Sequence, residues 1–218
     1  LASLAFDFPR RSTFFRQELK IFLILSKEQG LTPLDVYGSY AGAMGYPQFM
    51  PSSWRNLAVD FDGDNKIDLL NNPVDAIGSV ANYFKSNGWK TNEAIATRAK
   101  IIADNYDEAI TSKDLKTSST LAEIKSKGLD VKEGAFASTM PASALRLQGE
   151  NGAEFWLAFN NFYVITTYNR STLYAMAVMQ LSQALKEARA QVNSSQSLVP
   201  IIEETPVTSP EAPTSPTT

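Results

Sequence analysis

The densest run of chemistry-bearing side chains is Asp60-Phe61-Asp62-Gly63-Asp64-Asn65-Lys66-Ile67-Asp68. Its carboxylates fall at positions 1, 3, 5 and 9 of a loop whose eighth residue is apolar, the spacing of an EF-hand-type calcium loop. Ca²⁺ is a hard cation that takes roughly six to eight oxygens, and the main-chain carbonyl of Lys66 is expected to serve at position 7. Asn65 stands where glycine is usual, and Asn enters left-handed geometry more readily than most residues. Asn71 replaces the bidentate Glu of position 12, so the closing carboxylate is expected from Asp75, just inside the next helix. Four carboxylates this close repel one another unless a cation sits among them. The competing reading is an acidic turn closed by Asx hydrogen bonds.

Two further segments carry polar groups among aromatics. Residues 38–54 hold glycines at 38, 42 and 45, prolines at 47 and 51, and Ser39, Gln48 and several aromatic rings. Glycine there lets backbone approach something closely, and amides with aromatic faces are what a sugar-binding cleft uses; a buried structural turn is the plainer reading. Tyr168-Asn169-Arg170-Ser171-Thr172-Leu173-Tyr174 places two tyrosines and an amide before a helix that Ser171 can cap. The chain has no histidine and no cysteine. Histidine triads, thiol chemistry, disulfides and ordinary zinc sites are therefore excluded, and acid–base work falls to Asp, Glu, Tyr or Lys. The net charge is −3, and Glu203, Glu204 and Glu211 lie beyond Arg189, the last basic residue. The near-neutral body argues against nucleic acid as a partner.

Several elements must position these groups. Residues 12–29 read as a helix, with Ser12 expected as its cap, Phe15, Leu19 and Phe22 on one stripe, Phe14, Ile21 and Leu25 beside it, and Gly30 ending it. A second helix opens at Pro73, with Val74, Ile77, Val80, Ala81 and Phe84 on one face and Gly88 past its end. Residues 91–160 read as a small β-rich subdomain with strands in Ala94–Ile102, Ala144–Gln148 and Glu154–Phe159 and one short helix at Leu121–Lys127. A last helix, 171–191, carries Tyr174, Ala177, Val178, Leu181 and Leu185 at helical spacing. Five of the eleven prolines fall in the final nineteen residues, and a disordered tail is expected over 193–218. The longest apolar run, Ile21–Leu25, is too short to span a bilayer.

Pro9-Arg10-Arg11, the Gly38–Trp54 segment, Asp60–Asp68, the run from Pro73 to Phe84 with Gly88-Trp89, and Tyr168-Asn169 with Tyr174 occur in this order in one family. From Leu1 to about residue 191 the chain resembles the membrane-bound lytic murein transglycosylase B family. The resemblance implies an α+β fold: a mainly helical lysozyme-like core over 1–90 with the calcium loop at 60–75, a β-rich subdomain over 91–160, and a return to the core over 161–192. It implies structural calcium, a periplasmic or outer-membrane-associated location, and a chain acting as a monomer on peptidoglycan glycan strands and stem peptides.

The family cleaves the β-1,4 bond between N-acetylmuramic acid and N-acetylglucosamine without water. One glutamate protonates the leaving oxygen and then acts as base while the muramoyl 6-hydroxyl attacks, leaving a 1,6-anhydro ring. Carried over by position, Ser39 supports that glutamate, and Gln48, Tyr83, Tyr168, Asn169 and Tyr174 line the glycan cleft. Arg10 and Arg11 meet stem-peptide carboxylates, for which a guanidinium fork is suited. The glutamate of the family's Glu-Thr-x-x-Gly motif is expected upstream of Leu1, so residues 1–218 alone are expected to be a catalytically inactive fragment. The alternatives are a non-catalytic peptidoglycan-binding or scaffolding protein, and a water-using hydrolase, which would want a second carboxylate across the cleft.

Overall fold

The computed structural model describes residues 1–111, 115–117, 119–132 and 134–196. Leu1–Ala175 form one compact unit, and the described residues from 176 to 196 belong to a second. The first unit opens with α1 (Ala2–Phe6), a 3₁₀ turn (Pro9–Arg11) and α2 (Ser12–Glu28). Leu4, Ala5 and Phe15 pack together where α1 meets α2. Ser12 is the first helical residue of α2, and no side chain caps that end. Gly30 takes φ 65° beyond its C-terminus, as expected.

Two helices open on proline, whose fixed φ suits the first helical position. These are α3 (Pro51–Leu57), unread in the sequence, and α4 (Pro73–Ser86). The Asn72 side chain caps α4, accepting from Val74 N and Asp75 N. The expected apolar face of α4 is corrected. Val74 and Ile77 are exposed, and the buried positions include Asp75, Ala76 and Ser79. Two of its inward side chains, Asp75 and Ser79, are acceptors for main chain of the polar loop, while Val80 and Tyr83 pack on apolar residues. Leu25, Met44, Phe49, Trp54 and Leu69 form the apolar cluster beneath.

The strands fall between Ala96 and Ala158, within the same compact unit as the preceding helices. β1 (Ala96–Arg98), β6 (Gly152–Ala158), β5 (Pro141–Gly149) and β3 (Ser119–Thr120) form an antiparallel sheet in that order. β2 (Lys100–Ile101) pairs separately with β4 (Leu129–Asp130), so the single expected strand Ala94–Ile102 is split at Ala99. A capping box between Thr120 and Glu123 starts α5 (Leu121–Ser126). Leu121, Ile124, Leu129, Ala142, Ala144, Leu157 and Phe159 fill this core.

The chain returns through α6 (Asn160–Tyr168). Buried Asn161 ties it back: its Oδ1 accepts from Lys90 N, and its Nδ2 donates to the carbonyls of Lys90 and Glu93. The last helix, α7, runs from Thr172 to Gln196, past the expected end at 191. Residues 193–196 of the expected tail are therefore helical, and the rest of it, 197–218, lies outside the described residues. No helix among the described residues is long and apolar enough to cross a membrane.

Gly45 holds a close approach in this frame. It sits at φ 67°, and a Cβ there would lie 2.3 Å from the Leu69 carbonyl oxygen. Gly45→Ala is expected to lose about 2–3 kcal/mol, combining left-handed strain with that clash. Gly63, at φ 78° with open space around it, is expected to lose only about 1 kcal/mol on the same change. Urea denaturation of both variants checks this; equal losses would show that the Leu69 contact costs nothing.

Candidate functional site

The acidic loop is shaped by its own carboxylates. Asp60 accepts from Gly63 N at 2.7 Å and Asn65 N at 2.8 Å, Asp62 from Asp64 N at 3.3 Å, and Asp64 from Lys66 N at 2.8 Å. Gly63 and Asn65 take φ 78° and 68°, so Asn65 does enter left-handed geometry. The result brings oxygens of Asp60, Asp62 and Asp64 within 4.8 Å of one another. The Asn72 amide donates to Asp62 at 2.8 Å and holds its carboxyl below the usual carboxylate range.

Asp68 and Asp75 stand apart from that triad. Burial opposes ionisation of Asp68, but the Lys66 ammonium at 2.8 Å and the Asn71 amide outweigh it, and its pKa is lowered. Asp75 is fully buried; one oxygen accepts from Phe61 N and the other from Asp68 N, both at 2.8 Å. It clasps the two ends of the loop from behind. Ser79, one turn on, accepts from Val59 N at 3.0 Å, and Gly78 leaves room for the Phe61 ring.

The glycine-rich segment folds into two tight turns. Ser39 N donates to the Ala43 carbonyl at 2.8 Å, and Ser39 Oγ accepts from Ala43 N at 3.1 Å. Met44 and Phe49 exchange main-chain hydrogen bonds across Gly45–Gln48, with Gln48 at φ 52° and its amide on the Gly45 carbonyl. Tyr46 N donates to the Leu69 carbonyl at 2.9 Å, which joins this turn to the end of the acidic loop. Ser39 and Gln48 line one cavity of about 610 Å³ with Asp35, Tyr37, Leu70 and Asn71. Tyr37, in that lining, is about nine-tenths exposed, a cost in water that a stacking ligand would remove. Sequence reasoning did not connect Asp35 and Tyr37 with this cavity and read Asn71 only as position 12 of the acidic loop.

Tyr83, Tyr168 and Phe49 pack ring to ring, with Tyr83 and Tyr168 centroids 5.0 Å apart. Both hydroxyls are committed to main chain: Tyr83 donates to the Thr167 carbonyl at 2.8 Å and Tyr168 to the Pro47 carbonyl. Burial, then the neighbouring Tyr174 and Tyr83, push the Tyr168 phenol well above its ordinary range, so it is no acid at neutral pH. Asn169 is exposed at the end of α6, and Tyr174 is part-exposed in the first turn of α7, where its N–H meets Ser171 Oγ at 3.2 Å. Arg10 and Arg11 lie exposed on the turn before α2; the Arg11 guanidinium sits 4.6 Å over the Phe14 ring.

Three glutamates of the chain, Glu18, Glu28 and Glu154, are committed to side-chain and main-chain partners. Glu18 is buried, and its carboxylate accepts from Ser52 N at 3.0 Å and Ser52 Oγ at 2.7 Å, capping α3. Glu28 forms a two-pronged pair with Arg55, and Glu154 holds Arg98 and the Trp156 indole. Among the described residues lining the Ser39 cavity, the one carboxylate is Asp35.

Comparison with known proteins adds family and fold. The model of the transglycosylase SLT domain family matches residues 1–183. Membrane-bound lytic murein transglycosylase B of Escherichia coli K12 is 45% identical over 191 residues, covering 88% of this chain and 51% of that protein. The chain thus spans about half the length of this curated relative. Catenated lytic transglycosylase SltB1 of Pseudomonas aeruginosa superposes with a TM-score of 0.81 at 47% identity, over 86% of this chain and 61% of that one. Lytic transglycosylase Slt35 of E. coli, solved in complex with calcium, gives 0.78 at 44%, over 87% and 58%.

Replacing Asp75 tests the clasp. Asp75→Ala leaves two main-chain N–H groups without their acceptor and is expected to cost about 2–4 kcal/mol in chemical denaturation. Asp64→Ala, on the exposed side of the loop, is expected to cost under about 1 kcal/mol in the presence of a chelator. Similar losses for the two would remove Asp75 from its central place.

Proposed function

Because the chain belongs to the transglycosylase SLT domain family, we propose that it forms the glycan-binding part of a peptidoglycan lytic transglycosylase, acting as a monomer in the cell envelope. The observation that carries this reading is the cavity shared by Ser39, Gln48 and exposed Tyr37, whose Gln48 turn is fastened through Pro47 to the Tyr83–Tyr168 pair. The reaction is cleavage of the β-1,4 bond between N-acetylmuramic acid and N-acetylglucosamine. A glutamate protonates the glycosidic oxygen and then takes the proton of the muramoyl 6-hydroxyl as that oxygen attacks C1. The product is a 1,6-anhydro ring.

That glutamate lies outside residues 1–218, and Ser39, at the cavity wall, orients it. Gln48, Asn169 and Tyr174 meet the acetamido sugars. Tyr83 and Tyr168, with both hydroxyls on main-chain carbonyls, offer ring surface and hold the wall in place. Arg10 meets stem-peptide carboxylates, with Arg11 braced on the phenylalanine rings beside it.

The acidic loop is a structural calcium site in this reading. The fit rests on the donor set: three converging carboxylates on a loop already coiled through left-handed Gly63 and Asn65. Asp60, Asp62 and Asp64 supply side-chain oxygens and Lys66 its carbonyl. Asp68 and Asp75 fix the loop that presents them. The ion offsets repulsion among the carboxylates and supplies no step of the reaction.

Two measurements test the proposal. Millimolar calcium added to chelated protein is expected to raise the melting temperature, since binding the folded state alone adds roughly 2.7 kcal/mol at a hundredfold excess over Kd; an unchanged melting temperature rejects the site. Residues 1–218 are expected to release no 1,6-anhydromuropeptides from peptidoglycan, and joining a preceding segment with the Glu-Thr-x-x-Gly motif is expected to switch release on. Mass spectrometry reads the difference of one water between anhydro and reducing ends. Reducing ends would instead point to Asp35 holding a water, the hydrolase reading, because it is the carboxylate in the cavity wall.

A further inference from the structure

A second cavity of about 260 Å³ is lined by Thr111, Leu145, Arg146, Leu147, Arg170 and Thr172 among others. Its wall combines a strand of the β-rich subdomain with the junction between α6 and α7, the same junction that carries Asn169 and Tyr174. Leu145 is buried, and the two arginines are exposed.

The two guanidinium groups there have capacity to spare. Arg55 and Arg98 meet carboxylates at 2.7 and 2.9 Å. Arg146 stands 3.7 Å from Asp107, too far for a hydrogen bond, and Arg170 forms no ion pair with the described residues. Two planar forks and two threonines suit a planar anion, and Leu145 with Leu147 gives it an apolar wall. A bare inorganic anion has no use for that wall.

We infer that this cavity is a binding site for the carboxylate end of a short peptide with small aliphatic side chains, carried by a glycan strand engaged at Asn169. The inference rests on the peptidoglycan reading and deepens it: Arg170 follows Asn169 directly, so a strand engaged at Asn169 delivers its peptide to Arg170 and Arg146. This seat is separate from the Arg10–Arg11 turn.

The test compares binding of the whole chain to two probes: purified peptidoglycan, and the same glycan freed of its peptides by an amidase. Wild type is expected to hold the peptide-bearing polymer more tightly. Arg146→Ala with Arg170→Ala is expected to weaken that binding about fivefold or more while leaving binding to the bare glycan unchanged. Lys20→Ala, on α2, controls for loss of positive charge. Equal weakening on both probes, weakening matched by Lys20→Ala, or no weakening at all overturns the inference and leaves the peptidoglycan reading standing. Failure of the wild type to bind either probe overturns both.

Discussion

Asp75 is the constraint on which the rest of the described site depends. A carboxylate with no exposure is costly unless its oxygens are satisfied, and this one is satisfied by Phe61 N and Asp68 N, at the two ends of the acidic loop. The loop is thereby fixed to α4 from inside. Its outer carboxylates are then free to converge, and the next carbonyl, that of Leu69, is placed to accept from Tyr46 N. One buried acid thus sets both the cluster of aspartates and one edge of the glycine-rich turn.

The other edge of that turn is held by a phenol. Tyr168 reaches the Pro47 carbonyl, and Tyr83 reaches Thr167 beside it, so α4 and α6 brace the wall that carries Gln48. Helix α4 serves both edges, through Asp75 on one side and Tyr83 on the other. The groups left exposed above this frame, Ser39, Gln48, Tyr37, Tyr40 and Asn169, are those with hydrogen-bonding capacity or ring surface for a polar, sugar-like ligand. The buried Asp75 carboxylate and the Tyr83 and Tyr168 hydroxyls spend their capacity on main chain, whereas exposed Ser39 and Gln48 each make one side-chain bond to it and keep the rest.

What was legible in the sequence was mostly local. The acidic loop declares itself because its residues act within nine positions of one another, and Asn65 and Gly30 behave as their backbone preferences require. The short helix at Leu121 and the two strands that become β5 and β6 are local in the same sense. The long-range features were hidden. Helix α6 is built from Asn, Phe, Tyr, Val, Ile and Thr, all weak helix formers; burial of Phe162, Val164 and Ile165 overrides them. The face of α4 was misassigned because apolar periodicity cannot announce a helix whose buried side chains are hydrogen-bond acceptors. The tyrosine pair was read as cleft lining, and only the structure shows where the two hydroxyls go.

Amide hydrogen exchange tests the central claim most directly. If Asp75 fastens the loop, the N–H groups of Phe61, Asp68 and Tyr46 exchange far more slowly than those of Gly63 and Asp64, whose acceptors are carboxylates of the loop itself. Calcium then slows Tyr46 together with Phe61 and Asp68, because one clasp holds them all. Exchange of Phe61 and Asp68 as fast as Gly63, or a calcium effect that stops short of Tyr46, would contradict it.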